Sequence, residues 1–215
     1  MKFINPAKLV TWPLELRTRR LVLRPPTEAD FETWRKAHLE ALPARDKHDR
    51  GPTDPKEVSR RAWRRLLARQ RRFARSDRWY VFGAFERRSG AYVGFVDLAT
   101  ISRGDWNSAN LGYVFQNQFQ GRGYATEAVR AVIRAAFSKL HYWRLEAACR
   151  VDNPRSIALA KRAGMTREGI RRLYWRDPDG WTDHVVFVAL APRETRIIRA
   201  IAERSPFGVP RAADE

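Results

Sequence analysis

One stretch, Gln120-Gly121-Arg122-Gly123-Tyr124-Ala125-Thr126, restricts what this chain can fold into more than any other. Before it, residues 110–116 have strand character. After it, apolar residues recur at Val129, Val132/Ile133, Ala136/Phe137 and Leu140, a spacing that predicts a helix. Glycine has no Cβ, so Gly121 and Gly123 permit a tight turn and a close approach of a ligand to the main chain. The first amides of a helix have no partner inside it and sit at the positive end of its dipole. Strand, glycine turn and helix start together therefore make a place for phosphate. A plain turn is the alternative reading. No Gly-Lys-Ser/Thr follows and no third glycine completes Gly-x-Gly-x-x-Gly, so nucleoside-triphosphate and dinucleotide loops are poor templates.

The rest of the chain supplies the elements of one α/β domain, as 215 residues suit a single core. Residues 1–13 read as an irregular lead-in, 14–190 as the domain and 191–215 as an extension with a helix-like stretch at 195–204. Apolar and polar residues alternate over 14–24, a strand stopped by Pro25-Pro26. Thr27, with Asp30 three residues on, marks a helix start that Phe31, Trp34, Ala37 and Ala41 continue. A second helix falls within 55–75, and strands at 79–85 and 91–101 form a hairpin around Ser89-Gly90. Residues 144–150 read as a buried strand. Asn153-Pro154 opens a helix ending at Gly164. Strands at 170–176 and 184–190 close the domain around Asp177-Pro178-Asp179-Gly180.

Charge is the strongest compositional signal. The chain has 42 basic against 24 acidic residues, a net +18. Arginines at 60, 61, 64, 65, 69, 71, 72 and 75 surround the second helix. Two readings stay open: a surface for polyanions such as RNA or the ribosome, or an arginine-biased composition on a solvated face. No apolar run approaches the roughly 18 residues of a membrane span, so no membrane partner is expected. The start, Met1-Lys2-Phe3-Ile4-Asn5-Pro6, lacks a signal-peptide core. A single cysteine, Cys149, excludes an intrachain disulfide, and the expected location is the cytoplasm. His38, His48, His141 and His184 show no metal-ligand spacing, so no metal is expected.

Gln120-x-x-Gly123-x-Ala125 fits the pattern Gln/Arg-x-x-Gly-x-Gly/Ala and resembles the acyl-CoA pyrophosphate loop of the GCN5-related N-acetyltransferases (GNAT). Further segments resemble that family's ribosomal-protein alanine N-acetyltransferase branch, in the same order. They are Thr18-x-Arg20-Leu21-x-Leu23-Arg24-Pro25 with Asp30 and Trp34, then Arg103-Gly104-Asp105-Trp106-Asn107, Arg144-x-Glu146-Ala147, Asn153-x-x-Ser156, Lys161-x-x-Gly164 and Gly180-Trp181-x-Asp183-His184. The similarity covers about 14–190. It implies an α/β (α+β) fold with a mixed, mostly antiparallel seven-stranded sheet, splayed between 110–116 and 144–150, and helices on both faces. It implies acetyl-CoA-dependent transfer to a primary amine, foremost the N-terminal α-amino group of a ribosomal or other protein. The alternatives are a small-molecule amine acetyltransferase, or a weakly catalytic acyl-CoA-binding or RNA-associated module. Monomer and homodimer both stay open.

On this resemblance, Gln120, Gly121, Arg122, Gly123, Tyr124, Ala125 and Thr126 receive the acetyl-CoA pyrophosphate. The backbone of Tyr113, Val114 and Phe115 pairs with the pantetheine arm, as in strand addition. Asn153 matches a residue that contacts the arm, and it equally suits an N-cap before Pro154. Ser156 matches the hydroxyl that assists the leaving thiolate, because the position where many relatives carry tyrosine is Ala160. A serine so early in a helix also serves as a cap or packs. An α-amino group of pKa about 7.7–8 is roughly a tenth neutral at pH 7, against about four in ten thousand for lysine, so it needs little help from a base. Glu146 and Asp97 are the candidate bases, with neither singled out. Cys149 reads as core and Glu127 as structural. Trp106, Trp175 and Trp181 read as turn residues that wall an acceptor groove or fill core.

Overall fold

The computed structural model describes residues 12–104, 106–177 and 180–192. Eight strands form one sheet: β1 Leu16–Arg17, β2 Leu21–Arg24, β3 Trp79–Glu86, β4 Tyr92–Ser102, β5 Ser108–Phe115, β6 Arg144–Arg150, β7 Thr166–Asp177 and β8 Gly180–Leu190. Their order is β1-β2-β3-β4-β5-β6-β8-β7. Only β5 and β6 pair in parallel; the remaining neighbours are antiparallel. The sequence pattern gives seven strands. The eighth appears because the 14–24 segment folds back on itself, with Leu16 opposite Leu23. Thr18 makes the turn, its N–H donating to Leu21 O at 2.9 Å and its Oγ1 accepting from Leu21 N at 2.9 Å. Alternation runs on through a turn this tight and cannot reveal it.

Helices α1 Phe31–Leu39 and α2 Arg60–Arg75 cover one face, and α3 Tyr124–Ser138 and α4 Pro154–Arg162 the other. The larger core packs Leu21, Leu23, Phe82, Val96, Leu98, Leu111 and Leu145 against Val129, Val132 and Ala136 of α3. Ala160 of α4 is fully buried in this core. The smaller core joins Trp34, Trp63, Leu67, Phe85 and Tyr92, with Trp34 stacked on Trp63 at 4.6 Å. Burying each such side chain contributes about 1.5–3 kcal/mol. The α1 entry is fixed by Asp30, whose Oδ2 accepts from Thr27 N at 2.7 Å and from Arg24 Nη1 at 2.7 Å.

The sheet opens between β5 and β6. Their pairing comprises Ser108 with Arg144, Ala109 with Leu145 and Asn110 with Glu146. Past Asn110, β5 stays with β4 while β6 runs on along β8, leaving a wedge.

The closing strands are longer than the alternation suggests. β7 carries register shifts between Arg167 and Gly169 and between Arg171 and Trp175, and Leu173 has φ 47°. Such bulges break a two-residue period. Trp175 and Trp181 therefore stand in strands, not turns, and both are 59% exposed; Trp106 is 76% exposed. None of the three fills core. The lead-in at 1–11, Asp105, the turn residues Pro178 and Asp179, and the extension at 193–215 lie outside the described residues. Among the described residues no helix is long and apolar enough to cross a membrane.

Candidate active site

The glycine loop ends in an uncapped helix. Gly123 is the N-cap of α3, with φ 78° and no side-chain cap, and Gly121 has φ 77°. The first helical bond runs from Glu127 N to Gly123 O at 3.1 Å. The amides of Tyr124, Ala125 and Thr126 thus have no partner within the helix. Gly121, Arg122 and Gly123 are exposed, so an anion can reach this end. Tyr124 offers only its amide, because its ring is buried and its hydroxyl donates to Glu86. Arg122 rests 5.8 Å from the Phe119 ring. Gln120 braces the loop: Nε2 donates to Phe115 O at 3.1 Å, and Oε1 accepts from Arg45.

The loop takes its shape from the β1–β2 turn. Glu127 Oε1 accepts from Thr18 Oγ1 at 2.6 Å and from Arg20 N at 2.8 Å, and Oε2 accepts from Arg20 Nε at 2.7 Å. Arg20 Nη1 also donates to Arg122 O at 2.8 Å. Burial alone would raise the Glu127 carboxyl, but the bonds from Thr18 and Arg20 outweigh it and hold it below the usual range. This acid in the first helical turn therefore stays charged yet turned to the hairpin. Two motifs of the sequence, Thr18-x-Arg20 and the glycine loop, are one physical unit.

At the wedge, Gln116 N–H donates to Val93 O at 3.0 Å. By strand alternation, the N–H groups of Tyr113 and Phe115 then point away from β4, toward the gap with β6. The half-buried Tyr113 side chain reaches the first turn of α4. Its hydroxyl lies 3.0 Å from Ser156 Oγ and donates to Ser156 O at 3.1 Å. Ser156 Oγ donates to Cys149 Sγ at 3.1 Å. Burial pushes the Tyr113 hydroxyl well above its ordinary value, so it holds its proton. Asn153 Oδ1 accepts from Ser156 N at 3.0 Å, capping α4 ahead of Pro154. Sequence reasoning placed Tyr113 here only through its backbone. Its parity with Leu111 and Phe115, which face α3 and α4, was the available signal.

The two candidate bases differ sharply. Glu146 accepts from Arg144 Nε at 3.0 Å and Arg171 Nη2 at 2.6 Å; burial pushes it up, but the arginines outweigh that and hold it low. Asp97 accepts from Trp79 Nε1 at 2.7 Å. Burial raises it and that single bond only partly opposes the rise. A loop over 42–49 spans the mouth of the wedge. Asn117 Oδ1 accepts from Leu42 N at 2.8 Å, Arg155 Nη2 meets Asp46 Oδ1 at 2.8 Å, and Lys47 Nζ meets Asp152 Oδ2 at 2.5 Å. Among the described residues no group of three or more His, Cys, Asp or Glu could hold a metal ion.

Helix α2 carries no acidic residue. Arg60 meets Glu32 at 2.7 Å and Arg64 meets Glu28 at 3.5 Å, and no other arginine of the helix pairs with a carboxylate among the described residues. Arg61 and Arg65, and Arg71 and Arg75, stand four apart and repel each other.

Residues 20–166 match the family model of the acetyltransferase (GNAT) domain. YjcK of Bacillus subtilis, named a probable N-acetyltransferase, is 36% identical over 116 residues, which are 54% of this chain and 64% of that protein. The [ribosomal protein uS5]-alanine N-acetyltransferase of Escherichia coli is 28% identical over 183 residues, 83% of this chain and 92% of its own. The structure of Mycobacterium smegmatis RimJ in complex with CoA-disulfide superposes with a TM-score of 0.71 at 23% identity, covering 88% of this chain and 95% of that one. At that identity the superposition speaks to fold alone.

Proposed function

The chain belongs to the GNAT acetyltransferase family, and from that premise we propose that it moves the acetyl group of acetyl-CoA onto a primary amine, the N-terminal α-amino group of a ribosomal or other protein. The domain is 14–190 and the compartment the cytoplasm. The observation that carries the reading is the wedge that opens after Asn110 and leads into the uncapped start of α3. A thin ligand with a diphosphate at one end and an amide-bearing arm fits that shape.

The chain's own groups divide the work. Amides of Tyr124, Ala125 and Thr126 receive the diphosphate, with Gly121 and Gly123 leaving the approach open and Arg122 supplying charge. Gln120 holds the loop against the end of β5. Main-chain groups of Tyr113, Val114 and Phe115 order the arm, and Asn153 fixes the first turn of α4 beside it. Bound acetyl-CoA supplies an activated acyl thioester. Ser156 gives the departing sulfur a proton, while the Tyr113 hydroxyl, 3.0 Å away, keeps its own and holds the Ser156 side chain in place. The arginines of α2 support docking on a polyanionic partner, ribosomal RNA, near the protein end to be modified.

The test compares three amines with purified protein and acetyl-CoA: an alanine-initiated short peptide, the same peptide with a blocked N-terminus, and spermidine. Mass spectrometry should find one added acetyl group on the first alone. Acetylated spermidine with an untouched peptide would overturn the α-amino reading in favour of a small-amine enzyme.

A further inference from the structure

Among the described residues, every carboxyl group other than Asp97 with a displaced pKa is held below its ordinary range: Asp30, Asp49, Glu86, Glu127, Glu146, Asp152 and Asp183. In a chain this basic that is the default. Asp97 is the exception, and its position is as unusual as its surroundings. It lies in β4 opposite Gly112 of β5 and Val81 of β3. Alternation puts Asp97 and Gly112 on the face opposite to the one where Tyr113 meets Ser156. Its carboxylate leans over β5: a Cβ at position 112 would lie 2.5 Å from Oδ1. Lacking a Cβ, Gly112 makes room for that carboxylate on the very strand that borders the wedge. Only Oδ2 is engaged, by Trp79 Nε1, and Oδ1 has no hydrogen-bond partner among the described residues. No ion pair reaches Asp97 there either. Of the groups facing it, Val81 and Gly112 are uncharged, and Arg69 of α2 stacks on the Trp79 ring at 5.4 Å rather than on the carboxylate.

We propose that Asp97 is the general base of this transferase, taking the proton of the incoming ammonium group on the face of β5 opposite Ser156. The proposal rests on the acetyl-transfer reading above. The ammonium group gives one proton to Oδ1, directly or through one water, and its nitrogen becomes nucleophilic. That nitrogen forms the C–N bond to the acetyl carbon as the C–S bond breaks. The sulfur gains a proton from the Ser156 hydroxyl, the nitrogen's second proton passes through water to restore that hydroxyl, and Asp97 returns the first to water. Proton acceptor and proton donor thus work from the two faces of one strand. A carboxylate kept free of arginine retains the basicity this step needs; Glu146, clamped between two arginines, does not.

Asp97→Asn is the test, because the amide oxygen can still accept from Trp79. Burial raises the carboxyl above its unfolded value of about 3.9, so the native state binds the extra proton and loses stability as pH rises from there toward the raised value. Above the raised value the cost is fully present, and Asn removes it. Asp97→Asn should therefore raise Tm at pH 8. It should lower kcat on an alanine-initiated peptide at pH 7 by about ten- to a hundredfold, the modest end for a base because an α-amine is partly neutral already. The deficit should shrink to within about threefold at pH 9, where the amine loses its proton unaided. Acetyl-CoA affinity by calorimetry should not change. A wild-type kcat at pH 7, or a deficit equal at both pH values, overturns Asp97 as the base. A wild-type protein that acetylates no amine overturns the transferase reading instead.

Discussion

The glycine-loop end of the molecule and the β7–β8 hairpin solve opposite problems. At the loop, backbone amides are aimed by a dense set of directed bonds from Thr18, Arg20, Gln120 and Glu127, over a core in which Val129, Val132 and Ala136 are fully buried. The hairpin is open: most of β7 is exposed, with Leu173, Trp175 and Trp181 standing in solvent beside Arg172. Geometry made from main chain suits a ligand that never varies. Exposed aromatic and cationic side chains suit one that does, since any of them can change without disturbing the sheet. On the proposed reading, donor recognition is built into the fold and acceptor recognition is written on its surface.

The harshest way to break this contrast is Gly123→Asp. It places a carboxylate where the proposed diphosphate approaches and a side chain at φ 78°, so acetyl-CoA binding should fall below detection by calorimetry while circular dichroism stays native. Unchanged affinity would remove the loop from the donor site. Ser156→Ala probes the same end more gently. A loss of kcat of roughly ten- to a thousandfold is expected with little change in KM for acetyl-CoA; a wild-type rate would leave Ser156 as packing against Cys149 and Tyr113. The surface side of the contrast is sharpened by Arg64, Arg65, Arg71 and Arg72 changed together to Gln. With about five phosphates neutralised, log affinity for RNA should fall against log salt with a slope near −4 to −5, and the quadruple change should flatten most of it. Turnover of a free peptide should stay as it was. A slope equal to wild type would take α2 out of RNA docking.

Legibility followed locality. The glycine loop, α3, β6 over Arg144–Arg150 and the Asn153-Pro154 helix start each declare themselves within a dozen residues. The turn at Thr18 was hidden because apolar alternation crosses it, and the length of β7 because its bulges and Leu173 at φ 47° break the period. What joins distant segments was invisible: Tyr113 to Ser156, Glu127 to Thr18, and the space that Gly112 leaves for Asp97. Both carboxylates could be named as bases from sequence, yet only the fold puts arginines on Glu146 and tryptophan on Asp97.

The tie between Arg20 and Glu127 spans 107 residues of chain, and it sets an order of events during synthesis. A hairpin that leaves the ribosome early must wait for α3 before its donors find their acceptor, and contacts this distant in sequence form late because a long loop must close first. The glycine loop in its mould is accordingly among the last parts of the domain to take shape, so a nascent chain carries no finished loop until well over half of it has been made. Shortening the chain at its beginning, far from any glycine, would leave the loop intact in composition and without its mould.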